Sequence, residues 1–383
     1  MKKVGATRVR VAALVFILVI VAFGASYLLT SPPTVSTGTT TQTASTAATT
    51  TSHAISQVSV PSSTQQTSVA TSSSSASSVS SLSTPSVTSS LSNSSSRSTS
   101  TPQRISHVVV ILMENKEYSS VIGNSSAPYQ NQLASAYAVA GNYFAVAHPS
   151  LPNYLALIAG STFGVTNDCA PAQCGIPKDA STIAGLLDSH GLSWKDYSES
   201  MPTSCSQVDS SAGLYYTKHN PFVYFGTITG NDGSGTTSSY CRSHVVSMDQ
   251  FWVDLLSGSL PNYSFIAPNE CDDAHSCSLS TADQWLSMTV PRIIGSSSFS
   301  STALFIVYDE GTTNESASSG SGGGGQVPLI LVSPFAKHGY VSNAAFSQYS
   351  LLATVEANFN LGSLGRNDAT ASVMSDLFIN RIP

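Results

Sequence analysis

The 383-residue sequence predicts an α/β fold built on a parallel sheet, and three observations carry that expectation. The run His107-Val-Val-Val-Ile-Leu-Met113 is apolar and β-branched without alternation, which reads as a strand buried on both faces. Ala303-Leu-Phe-Ile-Val-Tyr308 is a second run of the same kind, far downstream. Each run ends in polar side chains, Glu114-Asn115 in one case and Asp309-Glu310, followed by Gly311, in the other. The clefts of open α/β sheets lie outside the carboxyl ends of parallel strands. Two buried strands that each end in adjacent oxygen ligands therefore predict one metal-centred site assembled from distant parts of the chain.

In chain order, Lys2, Lys3, Arg8 and Arg10 precede an apolar stretch from Val11 to Leu29, about nineteen residues and close to the length that spans a bilayer. Residues 1–30 read as a membrane anchor or signal segment whose basic flank stays inside. A cleaved signal shares this charge pattern, with Ala25-Ser26 as a weak cleavage site. From Ser31 to Arg104 the chain is mostly Ser and Thr and contains no Asp or Glu. Such a segment cannot bury enough apolar surface to offset its ordering entropy, so residues 31–104 read as a disordered stalk with a span of about 50 Å. Its composition is that of O-glycosylated stalks, and Asn93-Ser-Ser and Asn314-Glu-Ser are N-glycosylation sequons.

Residues 105–383 suffice for one large α/β domain with a full core. All 21 acidic residues fall here with nine basic ones, a net charge near −12 that argues against a nucleic-acid partner. All six cysteines fall here too, and an even count behind an export segment reads as disulfides in an extracytoplasmic protein. Proximity alone suggests 169–174, 205–241 and 271–277, one of fifteen pairings.

Between the two ligand-bearing strands, His148-Pro-Ser-Leu-Pro-Asn-Tyr154 opens a short helix that runs to Gly160, with Pro152 in its first turn. Ser150 sits at or next to the N-cap. Capping is the plain explanation of such a serine. The same place also welcomes a phosphate and stabilises an alkoxide, because unpaired N–H groups and the positive end of the helix dipole face it. The strand-like Tyr263-Ser-Phe-Ile-Ala267 leads into a loop holding Asn269, Asp272, Asp273 and His275, which Cys271 and Cys277 could tie down. His275 could contact phosphate oxygens or protonate a leaving group. Lys218-His219-Asn220-Pro221-Phe222 is weak on spacing alone, where His219 reads as a structural histidine. Gly320-Ser-Gly-Gly-Gly-Gly325 lacks the Lys and Ser/Thr of a P-loop and reads as a loop at the site rim, before a strand at 327–332.

With these pieces in order, the chain resembles the phosphoesterase family of bacterial phospholipases C and secreted acid phosphatases, within the alkaline phosphatase-like superfamily. The matching stretches are His107 to Asn115, His148 to Tyr154, Lys218 to Phe222, Pro268 to His275, Tyr308 to Gly311 and Tyr349 to Glu356, in the family's order. The resemblance implies a three-layer α/β/α sandwich with a mainly parallel sheet. It also implies that Glu114, Asn115, Asp309 and Glu310 are metal ligands, with Ser150 the nucleophile that also touches the metal. By the same carry-over His275 and His219 are catalytic groups facing phosphate, while His148, Asn153, Asn269 and Asp273 are the expected substrate-binding residues. The chain stops soon after the family core, which leaves substrate preference open. Oxygen ligands favour Mg²⁺, Ca²⁺ or Mn²⁺ over Zn²⁺. The expected activity is metal-dependent hydrolysis of phosphoric esters through a phosphoserine intermediate, first as an acid phosphatase and second as a phospholipase C. The contrasting reading is a non-catalytic cell-surface binding protein.

Overall fold

Seven residues from His107 to Met113 form β1, and all but the first are buried, which a strand achieves only when both of its faces are covered. The same holds for β5 (Tyr263–Ala267) and β6 (Thr302–Tyr308), whose residues are all buried. In the computed structural model, which describes residues 104–230, 237–317 and 323–380, these three strands lie side by side at the centre of the sheet. The predicted segment 1–30 and all of the predicted stalk except Arg104 lie outside the described residues. Among the described residues no helix is long and apolar enough to cross a membrane.

The remaining strands are β2 (Ala138–Tyr143), β3 (Trp194–Ser198), β4 (Val245–Ser247), β7 (Leu329–Val332) and β8 (Tyr340–Phe346). The eight-stranded sheet has the order β4-β3-β5-β1-β6-β7-β2-β8. Only β7 runs against the others, antiparallel to both β6 and β2. The mainly parallel α/β sheet expected from the sequence is therefore present. The reversal at β7 was not legible, and the strand begins at Leu329, because Pro328 has no N–H for the ladder.

Parallel register fixes what the central strands deliver. Met113 pairs with Tyr308 at the ends of β1 and β6, so Glu114 and Asp309 emerge at the same level despite their separation in sequence. β1 also pairs with β5, whose end leads into the 268–277 loop. Three adjacent strands thus present their carboxyl ends to one place, as the sequence pattern required.

Of the helices, α1 (Pro128–Ala136) packs on α3 (Leu279–Ile294), and α2 (Ser150–Ala159) packs on α4 (Gln348–Phe359). All ten residues of α2 are buried, which marks it as a core helix rather than an amphipathic surface one. It ends at Gly160 in the left-handed conformation, with the Asp368 carboxylate where a β-carbon would lie. Arg366 Nη1 donates to the Ala159 carbonyl at 2.7 Å, satisfying another exposed helix end.

The three expected disulfides, Cys169–Cys174, Cys205–Cys241 and Cys271–Cys277, are all present, and no described cysteine is free. Their sequence separations are 5, 36 and 6 residues, so loop-closure entropy ranks them. Removing the 205–241 bridge as a double serine variant should cost about 4 kcal/mol, against about 2 for either short loop. Denaturant unfolding of the three double variants checks this, and equal losses would contradict the entropic ranking.

Candidate active site

Glu114 is fully buried, and its two oxygens are divided between four neighbours, Asn115 and the three that follow. Ser150 Oγ lies 3.0 Å from Oε2, the Tyr154 hydroxyl donates to Oε1, and His219 Nε2 lies 3.3 Å from Oε1. Tyr154 follows Ser150 by four residues on α2, so both hydroxyls lie on one helix face. That spacing was visible in the sequence, yet it did not single out Tyr154.

Ser150 is the first helical residue, after Pro149 at the N-cap, and the helix has no side-chain cap. The capping explanation of this serine is thereby excluded. Its hydroxyl meets Glu114 and, 3.3 Å away, Glu310 Oε1. A hydroxyl has one proton to donate, so two ionised carboxylates cannot both be satisfied by it. The expectation of free N–H groups at the start of α2 is modified as well, since the Leu151 N–H donates to Asp168 Oδ1 at 3.0 Å.

Asp309 is fully buried; Oδ1 accepts the Asn115 N–H at 3.0 Å, and Oδ2 has no hydrogen-bond partner. Asn115 adopts positive φ and sends its amide to Glu114 Oε2 at 3.3 Å. Glu310 pairs with His148 Nδ1, while His148 Nε2 donates to the Thr313 carbonyl at 2.8 Å. Glu114, Asn115, Ser150, Asp309 and Glu310 form one connected cluster, as the sequence placed them.

A second group adjoins it. His219 Nδ1 lies 3.3 Å from Glu270 Oε1 and 3.6 Å from Asp273 Oδ2, and its ring stacks on Tyr154 with centroids 5.3 Å apart. Glu270 Oε2 lies 2.7 Å from His275 Nδ1, and Lys218 Nζ lies 3.1 Å from His275 Nε2. Glu114, His219 and His275 form one group able to hold a cation, and His219, Glu270 and Asp273 another. The imidazoles add nitrogen donors beside the all-oxygen set of Glu114, Asn115, Ser150, Asp309 and Glu310, on which the preference for Mg²⁺, Ca²⁺ or Mn²⁺ over Zn²⁺ rests. Glu270, Lys218 and Asp168 had no assigned role in the sequence reading. Asp168 had no signal there at all beyond its place beside Cys169.

Three of the substrate-binding expectations meet other uses. Asn153 is fully buried: Oδ1 accepts the Val146 and Ala147 N–H groups at 3.0 and 3.1 Å, and Nδ2 donates to the Ala147 and Pro149 carbonyls at 2.8 and 3.3 Å. It shapes the turn before α2 and has no capacity left for a ligand. Asn269 Oδ1 likewise accepts the Cys271 and Asp272 N–H groups, forming the loop. Both ring nitrogens of His148 are engaged as described. Asp273 remains at the cluster, its Oδ2 buried without a hydrogen bond.

Burial dominates the electrostatics. It pushes Glu114 up to about 7 and Asp273 up to about 10, and it raises Asp309 and Glu310 as well. Burial, helped by Lys218, lowers His219 to about 3, so its imidazole is neutral. Glu270 holds His275 above its ordinary value. Acid groups this close and this dry need shared protons or a bound cation, and the unpartnered oxygens of Asp309 and Asp273 fit a cation.

Residues 124–362 match the Phosphoesterase family. The chain belongs to that family. It is 30% identical over 275 residues to a probable acid phosphatase of Kluyveromyces lactis, a match covering 69% of this chain and 61% of that protein. It therefore spans about three fifths of that relative's length. It is 32% identical over 259 residues to a phosphatidylinositol-3-phosphatase of Mycobacterium tuberculosis, covering 68% of this chain and 78% of the relative. A Bacteroides thetaiotaomicron structure from work on glycosaminoglycan metabolism shares the fold, with a TM-score of 0.50, 11% identity, and coverage of 72% of this chain and 82% of that one.

Raised carboxyl values give a pH dependence of unusual sign. Each such group binds its proton more tightly folded than unfolded, so its favourable contribution is complete below the unfolded value near 4 and is lost as pH rises toward the folded one. For Glu114 and Asp273 that loss runs up to about pH 7 and 10. With chelator present, Tm should be lower at pH 8.5 than at pH 6.5, and an excess of divalent cation should remove the difference. A higher Tm at pH 8.5 in chelator would contradict this electrostatic reading.

Proposed function

We propose that the protein is a cation-dependent hydrolase of phosphoric monoesters, of acid phosphatase type, acting through a phosphoseryl intermediate on Ser150. The observation that carries this reading is the Ser150 hydroxyl, which caps no helix and instead points at two buried carboxylates. Glu114, Asn115, Asp309 and Glu310 would hold the cation beside Ser150, and the cation would supply charge neutralisation for a phosphate dianion and a more acidic serine hydroxyl. The family relatives named phosphatases support the same class.

The chain's own residues then carry the steps. Ser150 Oγ attacks phosphorus, and Glu114 is within reach to accept its proton. The bond from phosphorus to the leaving oxygen breaks, and that oxygen takes a proton from His275, the more exposed of the two histidines. Water next gives a proton to the now neutral His275 and attacks the phosphoserine from the opposite face; the bond from phosphorus to Oγ breaks, phosphate leaves, and Oγ regains its proton from Glu114. His219, neutral and stacked on Tyr154, holds the inner side of the cluster. The three disulfides and the apolar segment at 11–29 support an extracytoplasmic protein, membrane-anchored or secreted.

Ser150→Ala should lower kcat on a chromogenic monoester at least about a thousandfold, roughly 4 kcal/mol of barrier, while thermal unfolding stays cooperative. Asp309→Asn should lose activity and regain part of it at high cation concentration, which Ser150→Ala should not. A folded Ser150→Ala chain with near-parental kcat would assign the attack to water instead. Diglyceride release from phosphatidylcholine, exceeding phosphate release from monoesters, would favour the phospholipase C alternative.

A further inference from the structure

Glu117 lies outside the cluster, three residues beyond Glu114, and its carboxylate is held by the chain that leaves Glu310. Oε1 accepts the N–H groups of both Thr312 and Thr313, at 2.7 and 2.8 Å. Two glycines make the space for it. A β-carbon on Gly311 would have three Glu117 atoms as its nearest neighbours, and one on Gly325 would lie 2.6 Å from Glu117 Oε1. Gly311 does not have positive φ, so nothing in its backbone calls for glycine; the Glu117 carboxylate does. The loop returns beside this contact, where the Gly311 N–H donates to the Gly324 carbonyl at 2.6 Å and the Tyr118 N–H to the Gln326 carbonyl at 2.7 Å.

What the latched strand of loop then does is the informative part. The Thr313 carbonyl accepts from His148 Nε2 at 2.8 Å. A carbonyl cannot donate, so it fixes Nε2 as the protonated nitrogen and turns Nδ1 toward Glu310, with which it pairs. Glu310 Oε1 in turn meets Ser150 Oγ. A continuous path therefore runs from Glu117 through the Thr313 peptide and the His148 ring to Glu310 and the serine hydroxyl.

We propose that Glu117 is the positioning residue of this site: by holding the Thr312 and Thr313 amides it sets the Thr313 carbonyl that orients His148 against Glu310. It touches neither the serine nor the cation site itself. Partners that orient a ligand from behind typically change metal affinity or activity 10- to 100-fold when removed. The inference rests on the reading of Glu310 as a cation ligand and deepens it.

The test uses the full chain with three substitutions and two readouts: kcat and KM on a chromogenic monoester at saturating Mn²⁺, and the Mn²⁺ dissociation constant by calorimetry without substrate. Glu117→Ala should weaken Mn²⁺ binding at least about tenfold and lower kcat more than it changes KM. Glu117→Gln keeps an oxygen acceptor for the two amides and should return both quantities to within about threefold of the parent. Gly311→Ala should reproduce the Glu117→Ala defect by displacing the carboxylate, yet add nothing to it in the double variant, because the obstructed side chain is gone. Glu117→Ala with parental Mn²⁺ affinity and kcat would overturn the proposal, as would a Gly311→Ala defect that adds in full to that of Glu117→Ala. The underlying reading fails separately: a parental chain without turnover on any ester contradicts the hydrolase, while the calorimetric comparison still decides the role of Glu117.

Discussion

The constraint on which the rest of the structure depends is the burial of several carboxyl groups at one point of the sheet edge. Glu114, Asp273 and Asp309 are almost fully inaccessible and Glu310 nearly so. Lys116 Nζ is directed to the Ala274 carbonyl at 2.8 Å, and Lys218 lies toward Asp168 and His275, so neither forms a direct ion pair with Glu114 or Asp309. Isolated buried charges of one sign are very costly, and proteins resolve such clusters by protonation or by a cation. The long central strands, the wholly buried helix and the three disulfide-tied segments are the means by which the fold holds this arrangement together. A loosely packed scaffold would let the acids separate into water.

Much of that arrangement was legible because it follows from periodicity. Unbroken apolar runs at 107–113 and 303–308 required burial on both faces, and the residue after a parallel strand must appear at its carboxyl edge. The 263–267 strand and its Cys-bracketed loop followed the same logic, and so did the helix between Ser150 and Gly160. The cysteine pairs were readable from proximity because two of the three loops are very short.

The rest was not legible, for physical reasons that differ by residue. The direction of β7 depends on which neighbours it finds, and four apolar residues carry no sign of that. Asn153 looks like a ligand in sequence because amide side chains serve substrates and turns equally well, and only its four backbone contacts decide between the two. Lys218, Glu270 and Asp168 act together only through tertiary contacts, and no spacing announces them. Glu117 is hidden for another reason: its partners are main-chain amides, which have no identity in the sequence.

The central claim is that Ser150 carries the phosphoryl group between the two halves of the reaction, and it is tested most directly by trapping. The full chain, mixed with a monoester and its cation and quenched in acid during turnover, should yield a phosphorylated peptide whose modified residue is Ser150, and the label should disappear once substrate is exhausted. Rapid turnover with no phosphopeptide at any quench time, or a label on another residue, would contradict the account.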